Sequence, residues 1–179
     1  MKKVRLIVLS MLVVFALVMS ACAPATEAPT EEPTEEPTEE PMEPITVGVI
    51  ADLTGPLAIY GVMIPRSFML GMEYATGVSG SAGEMFDFAE TQENTFTTDE
   101  YEIRVLVRDD AGNPEQTTSV ANELIDVEGV DIIVGSTSSP TTATLQGIAN
   151  SNQIPVIVAP AAANAITGAD FNEYTFRTS

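Results

Sequence analysis

Seven of the nine residues at positions 136–144 are Ser or Thr, the exceptions being Pro140 and Ala143. They follow directly on the apolar run at 130–135, VDIIVG. A crowd of hydroxyls at the end of a buried segment can supply a nucleophile, hold an anion, or cap and turn the chain. The nucleophile lacks partners. The chain contains no histidine, so a Ser-His-Asp triad has no base. Both lysines are at positions 2 and 3, which removes a Ser-Lys dyad or Schiff base from the rest of the chain. The single cysteine, Cys22, follows the lipobox-like Met19-Ser20-Ala21 and is unavailable as a thiol nucleophile if lipidated there. GSTSSPTT lacks the Gly-Lys-Ser/Thr ending of a P-loop, and no GxGxxG follows a predicted strand. Asp109-Asp110 is the other candidate for chemistry. Adjacent acids on a strand point to opposite faces and no other ligand type is near. The pair therefore reads as a solvated strand end, neither catalytic nor metal-binding.

The hydroxyl loop fits anion binding better. Ser139-Pro140 has the cap-then-proline pattern of a helix start, which leaves the first N–H groups of that helix pointing outward. Such N–H groups with hydroxyls beside them hold an anionic group. Hydroxyls add hydrogen bonds without fixed charge, which suits the carboxylate of a small zwitterion better than a phosphate. The alternative is that these residues only cap the helix and fill the turn; spacing leaves both open.

The elements that must position this loop are readable on either side of it. Residues 45–52 (ITVGVIAD) form a β-rich run that ends at Thr54-Gly55-Pro56. After a break at Gly61, residues 65–75 place Phe68, Met69, Met72 and Ala75 at helical spacing. Residues 77–100 show no period and read as an irregular excursion. Residues 101–109 (YEIRVLVRD) alternate, with Ile103, Val105 and Val107 on one face. Asn113-Pro114-Glu115-Gln116 announces a helix with Asn as cap and Val120, Ala121, Leu124, Ile125 and Val127 as its buried stripe. Residues 130–135 and 154–159 are short apolar runs typical of strands covered on both faces. A helix over about 141–150 joins them, and 174–178 reads as a further strand. Alternating strands and helices predict an α/β fold with a parallel sheet and right-handed crossovers. Ligands of such sheets sit beyond the carboxyl ends of the strands, where residues 53–60, 135–142 and 159–164 fall.

The first 44 residues do not belong to this domain. Residues 1–5 (MKKVR) are basic, 6–19 are almost wholly apolar, and Ser20-Ala21 precede Cys22. This is an export-signal pattern. Met19-Ser20-Ala21-Cys22 resembles a bacterial lipobox, which predicts a signal peptide over 1–21 and lipidation at Cys22. An uncleaved membrane anchor is the other reading. Both put the remainder outside the cytoplasmic membrane. Residues 23–44 (APATEAPTEEPTEEPTEEPMEP) repeat proline and glutamate, which predicts an extended, solvated tether of about 3 Å per residue. Beyond it, 18 Asp and Glu face only Arg66, Arg104, Arg108 and Arg177. Such a surface repels nucleic acid and anionic lipid.

Several stretches also resemble the type I periplasmic solute-binding proteins of branched-chain amino acid ABC transporters, the Leu/Ile/Val-binding-protein group. They are ITVGVIADLTGPLAIYG (45–61), DDAGNPEQTTSVANELID (109–126), GVDIIVGSTSSPTT (129–142), IPVIVAPAAANAIT (154–167) and YTFRT (174–178), in family order and register. The resemblance implies two Rossmann-like lobes that close on an amino acid or related amide, with 45–179 forming most of the first and the second lobe not on this chain. It implies that Ser139 and Thr142, with Ser138 as neighbour, hold the ligand carboxylate. Ala161 and Ala163 match the next ligand loop, and Tyr60 matches an aromatic that lines the side-chain pocket. An ABC permease is the implied partner, no cofactor is implied, and no catalysis. A ligand-sensing domain of a signalling receptor is the rival from another class. The chain departs from the family at Ala163, where relatives often carry Thr, and in the length of 77–100.

Overall fold

A computed structural model describes residues 43–78 and 86–178. The export-signal pattern, Cys22 and most of the tether lie outside the described residues. The strands are β1 (Ile45–Ala51), β2 (Glu93–Thr97), β3 (Glu102–Asp109), β4 (Ile132–Val134), β5 (Val156–Val158) and β6 (Thr175–Arg177). The helices are α1 (Ala58–Gly61), α2 (Met63–Thr76), α3 (Pro114–Asp126) and α4 (Ser139–Asn152), with a 3-10 turn at Asn164–Thr167. One sheet in the order β2-β3-β1-β4-β5-β6 holds all six strands. Every pairing is parallel except β2 with β3.

The period-2 pleat sorts the apolar side chains onto two faces. Ile50, Leu106, Ile133, Val156 and Val158 pack with Val120, Ala121 and Leu124 of α3 and Leu145 and Ala149 of α4. On the other face Val47, Val49, Val105, Val107 and Val134 pack with Ile64 and Met69 of α2. The result is a helix–sheet–helix sandwich, with α2 over β1 and β2. Ile103, Val105 and Val107 share one face, as their alternation predicts, and it is the α2 side.

Asn113 caps α3: its side chain accepts from the N–H of Glu115 at 2.7 Å and of Gln116 at 3.2 Å. Val127 does not join the stripe of that helix. It lies one residue past the end and is 77% exposed. The predicted irregular excursion at 77–100 contains β2, so the sheet carries an antiparallel edge. In Glu93–Thr97 only Phe96 is apolar and buried, too little for a period to show. Helix α2 starts at Met63, ahead of the predicted start, because Pro65 in the first turn sacrifices no intrahelical bond.

Candidate functional site

β1, β4 and β5 are parallel neighbours, so the loops after them emerge at one edge of the sheet. Gly135 brings the first two together. Its φ is 145°, and a Cβ there would lie 2.2 Å from the Ile50 carbonyl oxygen, so a side chain would push β4 off β1. Asp52, fully buried, folds the loop after β1: its carboxylate accepts from the N–H of Gly55 at 2.6 Å and of Leu57 at 2.8 Å. Its own N–H donates to Thr137 Oγ1 at 2.9 Å, which ties this loop to the hydroxyl loop. On the far side the N–H of Ala163 donates to Ser139 Oγ at 3.2 Å, and Arg177 Nη1 donates to the Ala163 carbonyl at 3.2 Å. Three loops are thereby held as one surface.

Ser138, not Ser139, caps α4. Ser138 is extended (φ −100°, ψ 153°), its Oγ accepts from the Thr141 N–H at 3.3 Å, and Ser139 is the first helical residue. Pro140 then sits at the second helical position, where its missing N–H costs no bond. Pro140 has no N–H and that of Thr141 is capped, while Thr142 N–H reaches the Ser138 carbonyl at 2.9 Å. The outward N–H groups foreseen at this helix start reduce to that of Ser139. The Ser139 hydroxyl accepts from Ala163, and among the described residues no acceptor takes its proton.

The remaining predicted residues take distinct places. Thr142 is fully buried; its hydroxyl donates to the Ser136 carbonyl at 3.1 Å and accepts from the Ser136 N–H at 3.3 Å, so it braces the loop from below. Ala161 is buried in the α3–α4 core and Ala163 packs against it half-exposed. Tyr60, 59% exposed, stands on α1 at the rim of an apolar pocket of about 450 Å3. Met63, Ile64 and Phe68 of α2, Val134, Ile157, Ala159 and Pro160 also line it. Ala159-Pro160 begins the loop that carries Ala163, so the pocket borders the loop to which Ser139 is bonded. The structure thus joins Ser138, Ser139 and Ala163 directly, and reaches Tyr60 through that loop.

Asp109 and Asp110 are not a solvated strand end. Asp109 accepts from the N–H of Leu53 and of Ala111, both at 2.8 Å, and from the Thr54 hydroxyl at 2.5 Å. Asp110 is fully buried and accepts from Gly112 N–H, Thr117 Oγ1 and Ser136 Oγ. Burial raises its pKa above the ordinary carboxylate value, hydrogen bonds from Ser136, Gly112 and Thr117 oppose the rise, and the charge of Asp52 adds to it. The two acids have different partners, Asp109 the loop after β1 and Asp110 the hydroxyl loop and α3. The sequence alone assigns Asp52 no role, sets Asp110 aside as a solvated strand end, and does not distinguish Ser136 among the hydroxyls. The Asp-x-x-Gly spacing of Asp52 and Gly55 was the one local sign, an Asx-type turn.

Comparison with known proteins adds an independent line. The family model described as periplasmic binding protein matches residues 44–179. The Leu/Ile/Val-binding protein homolog 3 of Brucella melitensis is 28% identical over 134 residues, 75% of this chain and 31% of its own length. A crystal structure of an ABC-type branched-chain amino acid transporter from Rhodopseudomonas palustris is 32% identical, with a TM-score of 0.62 over 75% of this chain and 32% of that one. A solute-binding protein of an ABC transporter from another strain of that species, in complex with 3,4-dihydroxybenzoic acid, is 28% identical. Its TM-score is 0.58, over 75% of this chain and 31% of that one. The chain spans about a third of the length of the relatives it matches.

Proposed function

The chain belongs to the periplasmic binding protein family, and from that premise we propose that it forms the first lobe of a two-lobed receptor. The receptor captures a branched-chain or related amino acid outside the cytoplasmic membrane, delivers it to an ABC permease, and performs no catalysis. Its mechanism is capture at one edge of the sheet and hinge closure by a second lobe. Lipidation at Cys22 and the Pro/Glu tether would hold it at the membrane.

The observation that carries this reading is the junction of Ser139 with Ala163. It sets a free hydroxyl proton and the Ser139 N–H side by side at the strand ends. A ligand carboxylate fits there without a buried fixed charge, and its apolar side chain has the Tyr60 pocket on the border of the same loop. Ser138 and Thr142 serve as cap and brace, and Ala161 sets the depth of the third loop. A second ligand class is an aromatic carboxylate. The lining of the pocket, apolar apart from Ser67, Thr178 and the Tyr60 hydroxyl, and the missing hydroxyl at Ala163 favour it, and one relative is complexed with 3,4-dihydroxybenzoic acid.

A thermal-shift panel of L-leucine, L-isoleucine, L-valine and 3,4-dihydroxybenzoate on the two-lobed protein separates these. A ligand at about 100 times its dissociation constant stabilises by roughly 2.7 kcal/mol. A shift with the aliphatic amino acids supports the first class, and a shift with the aromatic acid alone supports the second. No shift with any of the four overturns the assigned ligand chemistry.

A further inference from the structure

A buried acid lies beneath the hydroxyl loop, and ligand capture as described does not require it. Asp110 accepts from the Gly112 N–H at 2.9 Å, from Thr117 Oγ1 at 3.2 Å and from Ser136 Oγ. Ser136 Oγ lies 2.9 Å from Thr141 Oγ1, which lies 2.7 Å from Ser138 Oγ. Four side chains thus form a continuous line from the buried carboxylate to the half-exposed cap of α4.

Each hydroxyl has one proton to give and a carboxylate has none. Ser136 must therefore spend its proton on Asp110 and can only accept from Thr141. Thr141 has a competing acceptor, the Ser138 carbonyl at 2.9 Å. A hydroxyl that donates to an anion becomes a stronger acceptor, because successive hydrogen bonds polarise one another. That favours Ser136. Thr141, its proton committed, then accepts from Ser138.

We propose that Asp110 is a positioning residue for the ligand loop: through Ser136 and Thr141 it turns the Ser138 proton inward, so that Ser138 shows the ligand lone pairs only. Ser139 is then the hydroxyl that donates to a carboxylate. Adding a proton to Asp110 reverses every bond in the line. Asp110 donates to Ser136, Ser136 to Thr141 and Thr141 to Ser138, which frees the Ser138 proton for the ligand. Carboxylate affinity therefore rises as the pH falls. Among the described residues, the side chains that act on Asp110 are Asp52 from the end of β1, Thr117 from α3 and Ser136 from the hydroxyl loop; of these only Asp52 is ionisable. Arg108 on β3 is engaged by Glu123 and Glu128, and Asp109 faces Leu53 and Thr54. Burial places the neutral form of Asp110 at a higher pH than for an exposed aspartate.

This inference rests on the reading of the loop as the carboxylate end of the site. Asp110→Asn tests it, because the amide keeps the Gly112 contact and donates where the carboxylate accepted. Calorimetry with L-leucine on the two-lobed protein should show D110N binding about 2- to 10-fold tighter at neutral pH, the worth of one hydrogen bond. Ser138→Ala should cancel that gain, and the wild-type rise in affinity on acidification should vanish in D110N. Equal or weaker binding by D110N, with Ser138→Ala costing the same in both backgrounds, overturns the proposal. A second arm needs no ligand: the carboxyl-carbon NMR titration of Asp110. Ser138→Ala and Thr141→Val should each raise its midpoint if the line ends on Asp110, and an unmoved midpoint overturns the proposal. Failure of L-leucine to bind removes the ligand assignment, while the titration still decides the line of hydroxyls.

Discussion

Ser139 and Asp110 show how far residue type alone leads and where it stops. The crowd of hydroxyls at 136–144 lies at the carboxyl ends of β1, β4 and β5, and the 179 residues have no histidine, and no lysine beyond position 3, to serve as a base for them. Which hydroxyl keeps a free proton depends on where α4 starts, and the Ser139-Pro140 pattern placed the cap one residue too late. Extended backbone at Ser138 gives it the cap and leaves Ser139 for Ala163. Ser139→Ala should accordingly weaken L-leucine binding by about 1.5–3 kcal/mol, the range for a lost hydrogen bond to a charged group, as read by calorimetry. Asp110 was misread because a strand-end pair of acids usually meets water, whereas here the turn after β3 folds back over it. Its raised pKa has a sign that can be checked. The stabilisation from proton uptake is fully present below the unfolded-state value and is lost as the pH rises through the folded midpoint. The melting temperature of wild type should therefore gain on that of Asp110→Asn as the pH falls.

At the scale of elements, each strand and helix read from the sequence is present, and β2 and the four-residue α1 were not legible. β3 and α3 announced themselves through alternation and an Asn cap. Asn113→Ala should cost about 1 kcal/mol in chemical denaturation, with the midpoint shifted and the slope unchanged. β2 went unseen because an edge strand needs only one buried side chain, Phe96, to hold its place. The joint between β1 and β4 rests on Gly135 instead of a pattern. Gly135→Ala puts a Cβ 2.2 Å from a backbone oxygen at a φ that L residues rarely adopt. It should destabilise by at least about 1–3 kcal/mol and weaken ligand binding as well, since it displaces the hydroxyl loop. A destabilised variant with unchanged affinity would detach that joint from the site.

For the whole molecule, charge is the long-range property that matters. Within residues 45–179, 18 acids face four arginines, so the field of this lobe repels a net anion and is indifferent to a zwitterion. L-leucine affinity should hardly change between about 10 mM and about 150 mM salt, while 3,4-dihydroxybenzoate affinity should rise as screening grows. The α/β class and the parallel core were legible from the order of elements, since alternating strands and helices leave few topologies. What the sequence could not display is the set of side-chain bonds that fuse three loops into one surface. Those bonds join Asp52 to Thr137 and Ser139 to Ala163, pairs 85 and 24 residues apart. The most direct test of a carboxylate held at that surface compares L-leucine with L-leucinol, which lacks the carboxylate, on wild type and Ser139→Ala of the two-lobed protein. Calorimetry should find leucine bound more tightly than leucinol by wild type, with most of that difference lost in Ser139→Ala. Equal affinity for the two ligands, or a Ser139→Ala penalty of the same size for both, would contradict the account.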